Sequence, residues 1–389
     1  MNTLQRTLLA ISLVALIPIG LSFYSCSEKP QAATISKNVK TDSIIHAEII
    51  FCGDVMQHMP QITASWDDSL KTYNYAPCFR YIKPFITSAD FAIANFETTL
   101  DGQPYSGYPQ FSCPDNLAYE LKKTGYDLLL TANNHCCDRG KSGLERTLRV
   151  MDSAKMDHIG TYKDSADYKE NCVQIKDING IKIAFINYTY STNGIPPSKP
   201  NTVSFIDTTQ IRSEIYRARL QKPDMVVATF HWGVEYERTQ HRTQSQVAAF
   251  CFDHGVNLIF GSHPHVVQPA LEFAADTNAR KLVFYSVVNF VSNQRDRYKN
   301  GGIMAVAHIT KNRNSGKTNI ESWGYIPVWV YKQAYPMKYE IIPVWNFLQD
   351  TTLMKKLPYT DKENMKLFYS DTKELLGEKH EIQKKVSFE

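Results

Sequence analysis

Five apolar, β-branched runs in this chain break off at residues that bind metals or move protons, and that recurrence constrains the fold more than any bulk property. "IIHAEIIFC" (Ile44–Cys52) runs into Gly53-Asp54, and "DFAIANFE" (Asp90–Glu97) closes on Asn95 and Glu97. "YDLLLTA" stops at Asn133-Asn134-His135, "DMVVATF" at His231-Trp232-Gly233, and "VNLIFGS" at His263-Pro264-His265. Two further runs, "IKIAFINY" (Ile181–Tyr188) and "KLVFYSVVNF" (Lys281–Phe290), complete the set. Near-continuous apolar runs of this length read as strands covered on both faces. The stretches between them have helical spacing. "SGLERTLRVMDSA" pairs Ser142 with Glu145 as a capping-box start, and "PDNLAYELKKTG" and "QSQVAAFCFDHG" end at Gly125 and Gly255. Alternation of this kind predicts an α/β domain with helices on the sheet faces.

In open α/β sheets, ligands bind at the C-terminal edge of the strands. Asp54, Glu97, Asn134, His231, His263 and His265 all fall at or just past such ends. Singly, each has an ordinary explanation: "GD" is a common turn and "HPH" a surface loop. Six ligand-type side chains at five separate strand ends point instead to a shared site for one or two divalent cations. His46, His158, His241, His254, His308 and His380 lie outside the pattern and read as ordinary histidines.

The N-terminus predicts export. "MNTLQRTLLAISLVALIPIGLSFYSCS" has an early Arg6, an apolar centre and a small residue before Cys26, as in a lipoprotein signal whose cysteine is lipidated. A plain membrane anchor or an ordinary cleaved signal is the alternative. The expected organisation is a lipoprotein-type signal (1–26), a polar tether (27–43), the main domain (44–345) and a C-terminal helical extension (346–389) ending in a frayed tail. The runs "ESWGYIPVWVYK" and "KYEIIPVW" read as late strands of a second sheet. With Cys26 set aside, seven cysteines remain, an odd number, so at least one is expected to have no partner within the chain. Cys136-Cys137 lack the spacing of a structural zinc site. A net charge of +4, with both signs interspersed, gives no nucleic-acid footprint.

"FCGDVM", "ANFETTL", "LLTANNHCCDRG", "TFHWGVEY", "LIFGSHPHVVQP" and "YSVVNFV" resemble, in that order, the signature segments of the poly-γ-glutamate capsule-synthesis (CapA) family, which looks like a branch of the calcineurin-like metallophosphoesterases. The resemblance spans about residues 45–330. It implies a four-layer α-β-β-α sandwich around two divalent metals, with Mn, Fe and Zn equally suited to the ligands. It further implies that Asp54 and His265 serve the first metal, that Glu97 bridges, and that Asn134, His231 and His263 serve the second. His135 becomes the proton donor or oxyanion stabiliser. Asp138 either orients His135 or acts as a helix-entry acceptor. Met56 stands where the superfamily has a histidine, with His58 as its candidate substitute, and Val288 stands where the family commonly has glycine. The function implied is that of an exported, lipid-anchored envelope protein of capsule or poly-γ-glutamate synthesis, acting as a metal-dependent hydrolase. The alternative is a non-catalytic protein that binds or exports an anionic polymer. The expected partners are the membrane, through Cys26, and that polymer or the capsule-synthesis machinery.

Overall fold

Two sheets carry the architecture. The computed structural model describes residues 43–274 and 280–388, so the expected signal, most of the tether and Cys26 lie outside the described residues. The first sheet orders its strands Lys338–Pro343, Thr318–Gln333, Gly301–Asn312, Ile44–Val55, Phe91–Phe96, Leu128–Leu130, Asp157–Ile159. It is antiparallel up to Ile44–Val55 and parallel beyond. The second sheet orders Ala270–Ala274, Arg280–Phe284, Leu258–Ser262, Met225–His231, Ile181–Thr189, Gln174–Ile178, with its four central strands parallel.

Strand alternation sends one face of each sheet to a shared interior and the other to helices. Ile49, Phe51 and Ile93 of the first sheet pack with Phe185, Val227 and Phe260 of the second. The Phe51 and Phe260 rings stack at 4.8 Å, and those of Phe91 and Phe185 at 5.1 Å. Ile50, Cys52, Ala94 and Leu129 face outward onto Phe79, Phe85, Leu117, Leu121 and Met151. Ala184, Val226 and Ile259 likewise meet Ile211, Ile215, Ala248 and Cys251 of the helices Thr208–Leu220 and Arg242–Asp253. The layers therefore run α-β-β-α, as expected.

The late strands depart from expectation. Thr318–Gln333 and Lys338–Pro343 extend the first sheet, because Gly301–Asn312 pairs with Ile44–Val55 and carries them onto that edge. After Pro343 the chain forms short helices and the helix Tyr359–Leu376, whose Met365, Phe368 and Leu376 enter the same core. The tail is not frayed where it meets the sheet, since Ile382 N–H bonds the Tyr325 carbonyl at 2.9 Å. The helix expected to start at Ser142 begins at Gly140.

Gly261 shows how tightly the second sheet is built. A Cβ there would lie 2.1 Å from the Tyr285 carbonyl oxygen and 2.4 Å from Trp232 Nε1, two atoms that hydrogen-bond at 2.9 Å. Overpacking of this kind costs about 3 kcal/mol. Gly261→Ala is expected to lower the urea midpoint by that equivalent, and an unchanged midpoint would refute the packing described here.

Candidate metal centre

The parallel strands of both sheets end on one side, and the six predicted residues meet there. Strand Ile44–Val55 shifts register between Cys52 and Asp54, which turns Asp54 inward. Gly53 makes room for this: a Cβ would fall 2.1 Å from Val288 Cγ1, so the valine in the expected glycine's place fits only beside a glycine. His263 and His265 both hold left-handed backbone, at φ 102° and 57°. Such conformations cost about 1–3 kcal/mol each and persist where surrounding structure enforces them.

The first sheet supplies Asp54, Glu97 and Asn134; the second supplies His231, His263 and His265, all buried. His231 Nε2 lies 2.8 Å from Asn134 Oδ1 and 3.6 Å from Glu97 Oε1. His265 Nδ1 lies 3.4 Å from Asp54 Oδ2. Asp54, Glu97 and His265 offer ligand atoms that all lie within 4.8 Å of one another. His135 sits beside them, its Nδ1 2.7 Å from Asp138 Oδ2, which also accepts the Phe111 N–H at 2.7 Å. Asp138 thus orients His135 and caps no helix: the helix Gly140–Ser153 has Arg139 at its N-cap and no side-chain cap. His58 lies to one side. It caps the helix Met59–Ser65, bonds Gln61 Oε1 at 3.2 Å, and belongs to neither group of ligand atoms found among the described residues.

The electrostatics favour a cation. Glu97 is fully buried, and neither of its oxygens has a partner; Asp54 Oδ2 and His263 Nδ1 are likewise unpartnered. Among the described residues neither carboxylate pairs with lysine or arginine. Burial, then the charge of Asp54, pushes the Glu97 carboxyl well above its ordinary range. Burial also opposes ionisation of Asp54, but the neighbouring His265 and His231 outweigh it and hold that carboxyl low. Burial pushes His231 down to about 3 and His263 well below its usual value, so both are neutral at pH 7 and able to donate a lone pair. An uncompensated buried carboxylate costs several kcal/mol. Neutral imidazoles, an amide oxygen and unpartnered carboxylate oxygens are the set that a divalent cation satisfies.

Asn95 and Asn133 stand among the polar strand ends in the sequence, but their supporting role, like those of Asn289 and Glu235, shows only in the structure. Asn95 donates to Asp54 Oδ1 at 2.8 Å and lies 3.2 Å from His231 Nδ1, linking the two sheets. Asn289 Oδ1 lies 3.0 Å from His265 Nδ1. Asn133 bonds the Phe96 carbonyl and accepts the His135 N–H, fixing the loop between the strand ends. Glu235, inside "HWGVEY", has a carboxylate oxygen within 4.8 Å of His263 and His265 nitrogens. Cys136 and Cys137 are packing residues, buried with Leu144, Leu148 and Val203, their sulfurs 3.9 Å apart. All seven cysteines among the described residues are free thiols. A cavity of about 600 Å³ lies elsewhere, lined by Glu145, Arg149, His158 and Asp164, and contains none of the cluster.

A four-layer sandwich of two sheets, with buried carboxylates, an Asn-His pair and three histidines at the strand ends, defines an α/β protein with a candidate metal centre. Residues 48–294 match the family model described as bacterial capsule synthesis protein PGA_cap, and the chain belongs to that family. The PGA biosynthesis protein CapA of Bacillus subtilis (strain 168) is 27% identical over 321 residues, covering 80% of this chain and 78% of that protein. Among solved structures, the NAD nucleotidase of Haemophilus influenzae aligns with a TM-score of 0.49 at 12% identity, over 87% of this chain and 65% of that one. The calcineurin-like phosphoesterase YfkN of Bacillus subtilis aligns with a TM-score of 0.43 at 12% identity, over 85% and 98%.

Proposed function

We propose that the chain is an exported protein, anchored to the envelope through lipidated Cys26, that serves capsule or poly-γ-glutamate synthesis as a hydrolase dependent on two divalent cations. The observation carrying this reading is the pair of buried carboxylates, Asp54 and Glu97, left with unpartnered oxygens among neutral imidazoles. Asp54, Glu97 and His265 would hold one cation; Glu97, Asn134, His231 and His263 would hold the other. Bound there, two cations activate water and neutralise charge on a phosphoryl-type group. His135, fixed through Nδ1 by Asp138, is left with Nε2 to hold or move a proton. The substrate class is a phosphoester or a γ-glutamyl or polysaccharide linkage of the envelope.

A second reading, binding or export of an anionic polymer without catalysis, draws support from cations beside the site. Lys299 Nζ, paired with Asp296, lies 4.3 Å from the Tyr236 ring, itself 6.0 Å from that of His265, and Arg238 and Arg297 flank Tyr298 at 4.3 and 4.7 Å, Arg297 also pairing with Asp371. The capsule-synthesis machinery and the polymer itself are the partners either reading proposes.

Metal content per chain, measured for the form starting at Ser27, tests the centre. Two equivalents are expected in wild type, with loss of at least one in a folded His231→Ala variant. A metal-free wild type would remove the hydrolase reading and leave polymer binding. Lipidation at Cys26 predicts membrane association that Cys26→Ala abolishes.

A further inference from the structure

The chain turns sharply after His231, and the turn brings a carboxylate to the histidines from the solvent side. Gly233 sits at φ 100°, and a Cβ there would lie 2.9 Å from the buried Gln244 amide. Tyr236, also left-handed at φ 70°, donates its N–H to the Pro264 carbonyl at 2.7 Å. That bond fastens the loop to the turn bearing His263 and His265. Glu235, between these two fixed points, presents a carboxylate oxygen within 4.8 Å of a nitrogen on each histidine.

The ordinary explanation for an exposed glutamate beside histidines is an ion pair with an imidazolium. Here Glu235 forms no ion pair with His263 or His265, and His263 Nδ1 is buried and unpartnered. Among the described residues Glu235 forms no ion pair with lysine or arginine either. Glu235 is thus a third carboxylate at the cluster, beside Asp54 and Glu97 and close to both histidines.

We propose that Glu235 is an outer ligand for a divalent cation shared with His263 and His265, reached from solvent and exchangeable. Being exposed, Glu235 is the ligand of this centre that an incoming anionic substrate can displace without unfolding the interior. The proposal rests on the metal-centre reading, since it uses two of the same histidines.

The test titrates Mn²⁺ into the full chain in detergent micelles by calorimetry, comparing wild type, Glu235→Ala, Glu235→Gln, His263→Ala and the double variant Glu235→Ala/His263→Ala. Glu235→Ala and Glu235→Gln are expected to weaken one Mn²⁺ equivalent by about tenfold or more, with the metal-free melting midpoint unchanged. The double variant is expected to fall short of the summed effects of its parents, because both residues serve one cation. Wild-type Mn²⁺ affinity in both Glu235 variants would overturn the proposal while leaving the centre intact. A wild type that binds no Mn²⁺ would overturn the centre and the proposal together. Additive effects would overturn the sharing of one cation.

Discussion

Glu97→Gln should abolish cation binding and at the same time make the metal-free protein more stable at neutral pH. Both effects have one cause. Glu97 is fully buried with both oxygens unpartnered, and burial together with Asp54 pushes its carboxyl well above the ordinary range. In the unfolded chain this glutamate releases its proton near 4.5, whereas the metal-free fold retains it to higher pH. Over that window the folded state binds more protons than the unfolded one, so the group's contribution to stability falls as pH rises. Glutamine has nothing to ionise and removes that loss. The metal-free variant should therefore gain about 1–3 kcal/mol at pH 7–8, and the gain should vanish as pH falls to about 4.5. His231 and His263 slope the other way: held low by burial, they cost stability as pH falls below the unfolded histidine value. They are present in both proteins and cancel in the comparison. With metal the order reverses. Wild type at 100 times its Kd gains about 2.7 kcal/mol, and the variant should gain almost none. Wild type should also release protons on loading, in an amount that Glu97→Gln reduces. Thermal melts at several pH values, with and without Mn²⁺, read all of this. A variant that keeps the metal-induced shift, or is less stable without metal, would remove Glu97 from the centre.

The sequence made the chemistry legible and left its assembly obscure. Asp54, Glu97, Asn134, His231, His263 and His265 were visible because strand ends are local features, and the edge on which they fall follows from parallel α/β topology. What stayed hidden depends on how two sheets face each other. Asn95 is visible at a strand end, yet nothing local shows that it bonds Asp54 and approaches His231 on the other sheet. Glu235 reads as a turn glutamate until the Tyr236–Pro264 hydrogen bond sets it over the histidines. The late strands were placed in the second sheet because pairing partners are non-local, and only the partnership of Gly301–Asn312 with Ile44–Val55 decides the matter. The helix expected from Ser142 starts earlier because cap signals are weak beside a loop held by tertiary bonds: Asp138 is committed to His135 and Phe111.

That commitment underlies the second large effect. His135→Asn is expected to slow turnover of a chromogenic phosphodiester by about 10²–10⁴-fold, with metal content unchanged. Asp138 Oδ2 is a carboxylate acceptor, so the ring nitrogen facing it carries a hydrogen, and Nε2, 3.5 Å from the Asn193 amide nitrogen, is the other ring position. The Phe111 ring stands edge-on to the imidazole at 4.6 Å and fixes its plane. Asp138→Asn disturbs the tautomer rather than removing the ring, and should cost about 10–100-fold. Because one residue acts through the other, the double variant should be little slower than His135→Asn alone. Loss of metal in His135→Asn would make the histidine a structural support. Full metal with unaltered turnover would place the proton transfer elsewhere. If the metal-loaded wild type turns over neither phosphodiester nor γ-glutamyl substrates, the hydrolase reading fails, and retention of an anionic polymer becomes the activity to measure.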